Sequence, residues 1–385
     1  MGCLCNSTEN LTMTDFIPVN EPLLDGNEKK YLMECIETGW ISSEGPFVHK
    51  FEEQLANQVG RKHGVAVSSG TGAIDAAVEA LGIGPGDEVI LPTFTIISCV
   101  NQVVRSGAKP VLVDSNPVTW NMDVTQIESK ITQRTKAIIV VHIYGLPVDI
   151  DPVLELCQKY GLKLIEDAAE MIGQTYRGRP CGSFGDISTL SFYPNKHITT
   201  GEGGMVFTND DVLAKNLREL RNLCFKPGKR FVHERLGWNL RMTNLQAALG
   251  VAQLERIDDF CKKKRWIGQM YNELLANLSD VQLPLASTDY AENIYWVYGL
   301  LLDDSVDFDA EVAINRLAKY GIGCRPFFYP IHQQPVLQEL GLFKGENYPE
   351  AERFYKRGFY IPSGLALTEE QVFKVADAVK NVLKV

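Results

Sequence analysis

The sequence predicts an α/β fold in which a mostly parallel central sheet is covered by helices on both faces. Short runs rich in valine and isoleucine, at 89–91, 110–113, 137–143 and 162–166, alternate with helix-length segments at 97–106, 124–130 and 152–160. Such alternation is typical of parallel strands joined by crossover helices. With 385 residues, 45% of them hydrophobic, the chain is long enough to bury a large core and to form two domains.

Composition and charge argue against several classes of partner. The formal net charge is −10 at pH 7, whereas nucleic acids and anionic membranes attract basic surfaces. No apolar run approaches the ~20 residues that span a bilayer. The nine cysteines include no C-x-x-C pair and no metal-ligand spacing, which is typical of reduced thiols in the cytoplasm. We therefore expect a soluble, cytoplasmic protein that binds neither nucleic acid nor membrane.

The pattern along the chain divides it into three segments. Residues 1–15 are mostly polar and lack the basic start and apolar core of a signal peptide, so we expect a flexible N-terminal leader. Residues 16–260 carry the alternating pattern and form the large domain. A single long helix is expected over 253–278. Residues 261–385, with a strand-like run at 295–300 and a terminal helix, form a smaller C-terminal domain.

Two helices are expected at 27–37 and 47–59, separated by a loop of small residues that contains Trp40 and Ser42. A short strand at 65–67 then leads through Ser-Ser-Gly-Thr-Gly directly into a helix at 73–81. This order places free backbone N–H groups, a helix dipole and two kinds of hydroxyl where a phosphate could bind. Gly70 and Thr71 are therefore candidate phosphate-binding residues, although a helix cap without a ligand would give the same pattern.

Polar residues follow the predicted strands at the edge where ligands bind in parallel sheets. Asp167 and Glu170 come directly after the buried run at 162–166, and Phe94 and Ile96 follow the run at 89–91. The Asp167 carboxylate could bind a cationic ligand, or it could be the cap of a helix that begins with the Ala-Ala-Glu after it.

A glycine-rich loop at 191–204 contains the strongest candidate for chemistry, Lys196. The loop lies between two short apolar runs, 187–192 and 205–208, that both predict buried strands. A lysine held on such a frame can form a Schiff base with an aldehyde cofactor if its pKa falls from ~10.4. A surface lysine in a glycine-rich turn is the alternative.

This loop, Ser-Phe-Tyr-Pro-Asn-Lys-His-Ile-Thr-Thr-Gly-Glu-Gly-Gly-Met-Val, resembles the lysine-bearing segment of the pyridoxal-phosphate-dependent nucleotide-sugar aminotransferases. Further similar stretches are Trp-Ile-Ser-Ser-x-Gly at 40–45, Ser-Gly-Thr-Gly at 69–72, Glu-Asp-Ala-Ala-Glu at 166–170 and Gly-Trp-Asn-Leu-Arg-Met-Thr-Asn at 237–244. The resemblance spans roughly residues 16–385. It implies a fold-type I, aspartate-aminotransferase-like homodimer.

The resemblance also implies roles around the cofactor, pyridoxal 5′-phosphate. Lys196 would carry the cofactor and act as general base, and Asp167 would keep the pyridine nitrogen protonated. Glu170 would face the 3-oxygen of the ring. The residues implied for the phosphate are Gly70, Thr71, Ser191 and Asn239. Asn239 would reach the cofactor of the neighbouring subunit, so that the dimer has shared active sites.

One position departs from the family pattern. Relatives usually carry an aromatic residue where this chain has Ile96, and that ring stacks on the cofactor. Either Ile96 provides a weaker apolar cover, or Phe94 takes over this role.

The resemblance implies a further set of residues that face the substrate: Trp40, Ser42, Arg230, Tyr329 and His332. Arg230 lies in a basic run at 226–235 that could hold a nucleotide diphosphate, although a solvated basic loop is the alternative. His332 lies among prolines and could instead be structural.

The implied reaction is transfer of an amino group from glutamate to a nucleotide-linked 4-keto-6-deoxy sugar. The closest resemblance is to enzymes that convert GDP-4-keto-6-deoxymannose to GDP-perosamine for a surface polysaccharide such as O-antigen. UDP- and dTDP-4-keto sugars are alternative substrates. A sugar 3-dehydratase is a second alternative, because its segment shares Tyr193, Pro194 and His197, but it has histidine in place of Lys196. The non-enzyme alternative is a pyridoxal-phosphate-binding regulator.

Overall fold

The computed structural model describes residues 16–226, 228 and 231–383. No helix within these ranges is long and apolar enough to cross a membrane. The helices are α1 (Glu28–Thr38), α2 (Pro46–Val59), α3 (Gly70–Ala80), α4 (Ser98–Arg105), α5 (Ile150–Tyr160), α6 (Asp211–Leu220), α7 (Asn244–Leu254), α8 (Ile257–Leu275), α9 (Ala310–Ala318), α10 (Pro335–Glu339), α11 (Pro349–Arg357) and α12 (Glu369–Leu383). Short 3₁₀ turns lie at Val124–Gln126, Glu128–Lys130 and Ile331–Gln333.

The strands are β1 (His63–Val67), β2 (Glu88–Pro92), β3 (Lys109–Val113), β4 (Thr135–Val141), β5 (Lys163–Asp167), β6 (Thr175–Tyr176), β7 (Arg179–Pro180), β8 (Ile187–Ser191), β9 (Gly204–Thr208), β10 (Val281–Gln282), β11 (Tyr298–Leu302), β12 (Arg325–Pro326) and β13 (Gly358–Ile361). Seven of them form the central sheet in the order β1-β9-β8-β5-β4-β2-β3. In this order, β8, β5, β4 and β2 each pair in parallel with the next strand. Strand β9 is antiparallel to both of its neighbours, β1 and β8. The predicted mostly parallel sheet is confirmed.

Hydrophobic side chains cover both faces of this sheet. On one face, Phe51 of α2 and Val251 of α7 belong to the same buried cluster as Ile138 and Leu164 of the strands. On the other face, residues of α3 and α4 pack on the alternate strand positions, among them Val141. Because both faces are buried, the strands read in the sequence as continuous apolar runs.

The parallel strands bring the candidate functional residues to one edge of the sheet. Strands β2, β4, β5 and β8 end at Pro92, Val141, Asp167 and Ser191 respectively. Since these strands run in the same direction, their carboxyl ends lie side by side. The N-terminus of α3 contacts β8 at the same edge, because a Cβ placed on Gly70 would lie 2.7 Å from the Cβ of Ser191.

A second sheet, in the order β10-β11-β13-β12, is antiparallel throughout. It shares a separate hydrophobic cluster with α8, α9 and α12. The chain near Ile17 also belongs to this cluster: the Ile17 N–H donates to the Gly321 carbonyl at 2.8 Å, and the Ser363 N–H donates to the Val19 carbonyl at 3.2 Å. The hydrophobic cluster beside the second sheet therefore contains residues from both ends of the described chain.

The single helix expected over 253–278 is wrong, because the chain breaks between α7 and α8. Arg256 leaves helical geometry with φ −118° and ψ 12°. No proline or glycine marks this break in the sequence. Asp258 and Asp259 occupy the first turn of α8, where acidic side chains favour a new helix start through the helix dipole.

Candidate active site

The loop that carries Lys196 is held at both of its ends. The Phe192 N–H donates to the Gly203 carbonyl at 2.9 Å, and the Phe192 carbonyl accepts from the Thr200 N–H at 3.0 Å and the Thr199 hydroxyl at 2.9 Å. A Cβ on Gly204 would lie 2.4 Å from the Ser69 carbonyl oxygen, so glycine is required where β9 passes the start of α3. These contacts fix the position of the lysine between β8 and β9.

The Lys196 amine lies in a closed environment between a carboxylate and an indole. Its Nζ atom lies 3.7 Å from Glu170 Oε1 and 3.7 Å from the centroid of the Trp296 ring. Trp296 is itself held, because its indole N–H donates to the Asn195 carbonyl at 2.8 Å. Burial lowers the pKa of Lys196, and the nearby Glu170 and Asp167 oppose this effect. A lowered pKa increases the fraction of neutral, nucleophilic amine.

Glu170 is buried beside the lysine and accepts a hydrogen bond from the Tyr144 N–H at 2.7 Å. Burial raises the pKa of Glu170 to about 8, while Lys196 and the Tyr144 N–H act in the opposite direction. Its carboxyl group can therefore hold or release a proton near neutral pH.

Asp167 ends β5 and is also buried. Its Oδ1 atom accepts from the Ala169 N–H at 3.1 Å and from the Thr189 hydroxyl at 3.4 Å. Burial raises the pKa of Asp167, and the Ala169 N–H and the Lys196 charge work against this rise. No helix begins directly after Asp167 in the part of the chain that the structure describes, so the Ala169 contact belongs to a turn and is not the helix cap considered as the alternative. The Ala169 N–H bonds to Oδ1 of Asp167, and the carboxylate as a whole remains buried beside the cavity.

The start of α3 forms the other end of the site. Ser69 caps the helix by accepting from the Gly72 N–H at 3.0 Å, and the hydroxyls of Thr71 and Ser98 lie 2.8 Å apart. The Cβ of Ser191 fills the space above Gly70. The first-turn N–H groups of a helix have no intrahelical acceptors, so this corner can bind an anion.

A cavity of about 340 Å³ joins these parts. Seven of the sequence-predicted residues line it: Gly70, Thr71, Ile96, Asp167, Glu170, Ser191 and Lys196. Ile96 is 48% exposed, whereas Phe94 is buried in an aromatic cluster with Tyr144 and Phe354 and does not line the cavity. Ile96, rather than Phe94, is therefore placed to provide the apolar cover.

Sequence reasoning missed several other residues that line the cavity: His142, Trp296, Phe328 and Tyr360. Trp296 lies in an apolar run that the sequence shows only as a strand. Its position over Lys196 depends on how this segment packs into the hydrophobic cluster of the central sheet. His142 directly follows β4 at the ligand-binding edge, and that position is the signal that could have identified it.

Trp40 and Ser42 line a different cavity, of about 970 Å³, together with Arg218, Arg221 and Arg241. Asn239 is exposed on the segment that passes β1, where the Ser68 N–H donates to the Leu240 carbonyl at 2.8 Å. Within one chain, neither Trp40, Ser42 nor Asn239 lines the Lys196 cavity.

The remaining substrate candidates lie elsewhere or outside the described residues. Arg230 is not among the residues that the structure describes. Tyr329 packs edge-on against Tyr355, with ring centroids 4.6 Å apart. His332 is buried, with Nδ1 2.8 Å from the Thr93 hydroxyl and Nε2 3.0 Å from Glu352 Oε1, an arrangement that favours the structural alternative for this histidine.

A group with metal-ligand chemistry lies behind the cavity, but its atoms are already bonded. His142 Nε2 lies 3.0 Å from Glu166 Oε1, and its Nδ1 accepts from the Val148 N–H at 3.0 Å. Glu166 also accepts from the N–H groups of Gly182 and Phe184 at 2.6 and 2.7 Å. Cys181 completes the group. Because the histidine and carboxylate atoms are satisfied by protein donors, this cluster is structural.

The chemical groups that line the cavity are those that pyridoxal phosphate requires. An amine that can react with an aldehyde lies between an anion-binding helix start at one end and a buried carboxylate at the other. The close approach of Ser191 to Gly70 forms a cradle in which the Cβ of any other residue would meet Ser191. The residues present therefore fit the cofactor.

Comparisons with known proteins agree with this geometry. The GDP-perosamine synthase of Caulobacter vibrioides is 43% identical over 368 residues, which are 95% of this chain and 98% of that protein. The GDP-perosamine synthase of Vibrio cholerae is 42% identical over 365 residues, again 95% and 98% of the two chains. The PMP-form structure of Spr1654 from Streptococcus pneumoniae is similar with a TM-score of 0.89 and 26% identity, covering 96% of this chain and 98% of that chain.

The model of the DegT/DnrJ/EryC1/StrS aminotransferase family matches residues 22–380. This match covers nearly the whole chain, and the family is pyridoxal-phosphate-dependent. The chain belongs to the DegT/DnrJ/EryC1/StrS aminotransferase family.

Proposed function

We propose that this protein binds pyridoxal 5′-phosphate through Lys196 and transfers the amino group of glutamate to a GDP-linked 4-keto-6-deoxy sugar. The observation that carries the proposal is the Lys196 amine, whose side chain is only 10% exposed and which lies 3.7 Å from Glu170 in the same cavity as the Asp167 carboxylate. The proposed sugar is GDP-4-keto-6-deoxymannose and the product GDP-perosamine, because the relatives at 43% and 42% identity are GDP-perosamine synthases.

Each residue has a defined task in this proposal. When bound, the cofactor supplies an electron-withdrawing ring that stabilises negative charge on the reacting carbon. Lys196 is the base that removes the proton from the α-carbon of the amino donor. The Asp167 carboxylate favours a positive charge on the ring nitrogen. Glu170, with a pKa of about 8, can exchange a proton with Lys196 near neutral pH.

Apolar and aromatic side chains around the lysine reduce its contact with water and assist these steps. Trp296 covers the lysine, and Phe328 and Tyr360 from the small domain line the same space. Ile96 adds an apolar surface from the large domain. In such a site the charges of Asp167 and Lys196 interact more strongly than they would in water.

We also propose a homodimer with shared active sites. Asn239 is exposed, the neighbouring Leu236 is 93% exposed, and Trp40 is 52% exposed. Large exposed apolar side chains such as these can be covered in a protein contact. The resemblance of residues 237–244 to the family segment is the basis for proposing that Asn239 reaches the Lys196 cavity of the partner subunit. The thiols of the seven described cysteines are unpaired, which supports a reducing, cytoplasmic location.

A complementation experiment tests the shared site. Lys196→Ala and Asn239→Ala should each be inactive alone. Mixed dimers contain one site with an intact Lys196 from one subunit and an intact Asn239 from the other. Equal mixing with subunit exchange should restore about a quarter of the wild-type activity. Mixtures that stay inactive despite verified exchange would contradict the shared site.

The substrate is tested with purified protein, glutamate and a panel of GDP-, UDP- and dTDP-4-keto-6-deoxy sugars, with products analysed by mass. We expect nitrogen to be incorporated into the GDP sugar. Incorporation into a UDP or dTDP sugar alone would overturn the proposed substrate, and loss of water without gain of nitrogen would indicate the dehydratase. Cofactor binding without turnover of any sugar would favour the regulator.

The attachment point is tested by borohydride reduction of the cofactor-loaded protein. The peptide that contains Lys196 should gain the mass of the reduced cofactor, and Lys196→Ala should lose both the yellow absorbance and the adduct. An adduct that persists in this variant would place the covalent role on another residue.

A further inference from the structure

Cys99 is a buried thiol that contacts the cofactor site rather than only filling the core. It is the second residue of α4 and is 0% exposed. Its Sγ atom lies 3.4 Å from Asp167 Oδ2 and 3.4 Å from the Thr95 hydroxyl oxygen. These distances are within the range of hydrogen bonds that involve sulfur.

The chemistry of the three groups sets the direction of the bonds. An ionised carboxylate can only accept hydrogen bonds, whereas a thiol can donate one and accept another. The Cys99 S–H therefore donates to Asp167 Oδ2, and the Thr95 O–H donates to Sγ. Burial, with a smaller contribution from Asp167, raises the pKa of the Cys99 thiol well above its usual range, so the proton stays on sulfur at neutral pH.

The two oxygens of Asp167 are held from different sides. Oδ1 accepts from the Ala169 N–H and the Thr189 hydroxyl. Oδ2 accepts a hydrogen bond from the Cys99 thiol, which is its hydrogen-bond donor within the described part of the chain. Loss of the thiol would leave this oxygen with less support and the carboxylate freer to rotate about its χ2 torsion.

We propose that Cys99 is a positioning residue: its S–H hydrogen bond orients the Asp167 carboxylate toward the cavity and favours the ionised form of this group. The proposal rests on the proposed function, in which Asp167 interacts with the cofactor ring. It assigns no role to Cys99 as a nucleophile or redox group, because the thiol is fully buried and protonated.

A matched pair of variants separates this role from simple packing. Cys99→Ala and Cys99→Ser both shorten the side chain, but only serine retains a donor. We expect the Kd for pyridoxal phosphate to rise about three- to tenfold in Cys99→Ala, which corresponds to the loss of one hydrogen bond of ordinary strength. In Cys99→Ser it should stay within about twofold of the wild-type value. Cys157→Ala, which removes a buried thiol on α5 away from the cavity, is the control.

The spectrum of the bound cofactor gives a second readout. The pH midpoint of its absorbance change should shift in Cys99→Ala and return toward the wild-type value in Cys99→Ser, because the field at the ring depends on how Asp167 is held. Equal shifts in both variants, or no shift in either, would overturn the proposal.

The third readout does not require the cofactor. In the cofactor-free protein, the infrared difference between wild type and Cys99→Ala isolates the S–H stretching band of Cys99. This band should lie at the lower frequency of a hydrogen-bonded thiol, and it should move to higher frequency in Asp167→Ala. A band that does not respond to Asp167→Ala would refute the hydrogen bond. If the wild type takes up no cofactor, the proposed function fails, whereas the infrared test of this contact is unaffected.

Discussion

Replacing Lys264 by methionine should change how the stability of the protein depends on pH. Lys264 lies in α8 with its side chain 1% exposed, and its Nζ donates to the carbonyls of Trp296 and Ser363 at 2.8 and 2.6 Å. A neutral amine has two hydrogens, which match these two acceptors. Burial, with a contribution from the charge of Lys196, lowers the pKa of Lys264 to about 7.

The sign of the effect follows from proton binding. In the unfolded chain the pKa of a lysine is ~10.4, so between about pH 7 and pH 10 the unfolded state binds a proton at Lys264 and the folded state does not. The free energy of unfolding therefore rises with pH in this window, by up to about 1.4 kcal/mol per pH unit. From pH 7.5 to 9.5 the wild type should gain roughly 2–3 kcal/mol relative to Lys264→Met, which lacks this group.

Urea denaturation at pH 6.5, 7.5, 8.5 and 9.5 measures this difference at equal protein concentrations. Lys262→Met is the control, since Lys262 is an exposed lysine of the same helix and should give a nearly constant difference from wild type. At pH 9.5 Lys264→Met should also be less stable than wild type, because two buried carbonyls lose their donor. A stability difference that is constant from pH 7.5 to 9.5 would show that Lys264 is charged in the folded protein and would refute the reasoning.

Three other substitutions have defined outcomes. Gly70→Ala should raise the Kd for pyridoxal phosphate at least tenfold by absorbance titration, because the new Cβ would lie 2.7 Å from the Ser191 Cβ; Gly84→Ala, which has no atom closer than 3.8 Å, should bind normally, and equal binding by both would contradict the cradle. Asp167→Asn should lower kcat on the order of 10²- to 10³-fold through the lost charge, and a kcat close to wild type would remove Asp167 from the mechanism. His332→Ala should lower the free energy of unfolding by about 1–3 kcal/mol with KM for the nucleotide sugar unchanged, whereas a raised KM with unchanged stability would make it a substrate ligand.

The sequence was most informative where local chemistry decides the structure. The apolar runs on either side of the Lys196 loop became β8 and β9, and the Ser-Ser-Gly-Thr-Gly stretch became the start of α3. Asp210 caps α6 by accepting from the N–H groups of Val212 and Leu213, and an aspartate just before a helix is a local signal of the same kind. In each case the signal lies within a few residues of the feature that it predicts.

Features that depend on distant contacts could not be predicted in this way. Trp296 covers Lys196, which lies 100 residues earlier in the chain, because the segment before β11 packs into the hydrophobic cluster of the central sheet. The residues next to Trp40 and His332 in the sequence do not indicate which distant side chains surround them. The structure places Trp40 in a separate cavity and His332 between Thr93 and Glu352.

The pairing of the chain near Ile17 with Gly321, and of Val19 with Ser363, constrains the order of assembly during translation. Residues 17 and 19 leave the ribosome about 300 and 340 residues before Gly321 and Ser363, which emerge only after the strands of the central sheet are available to fold. The segment around Ile17 and Val19 therefore stays unpaired while the central sheet folds. The small domain is completed last, and with it the indole that covers the lysine.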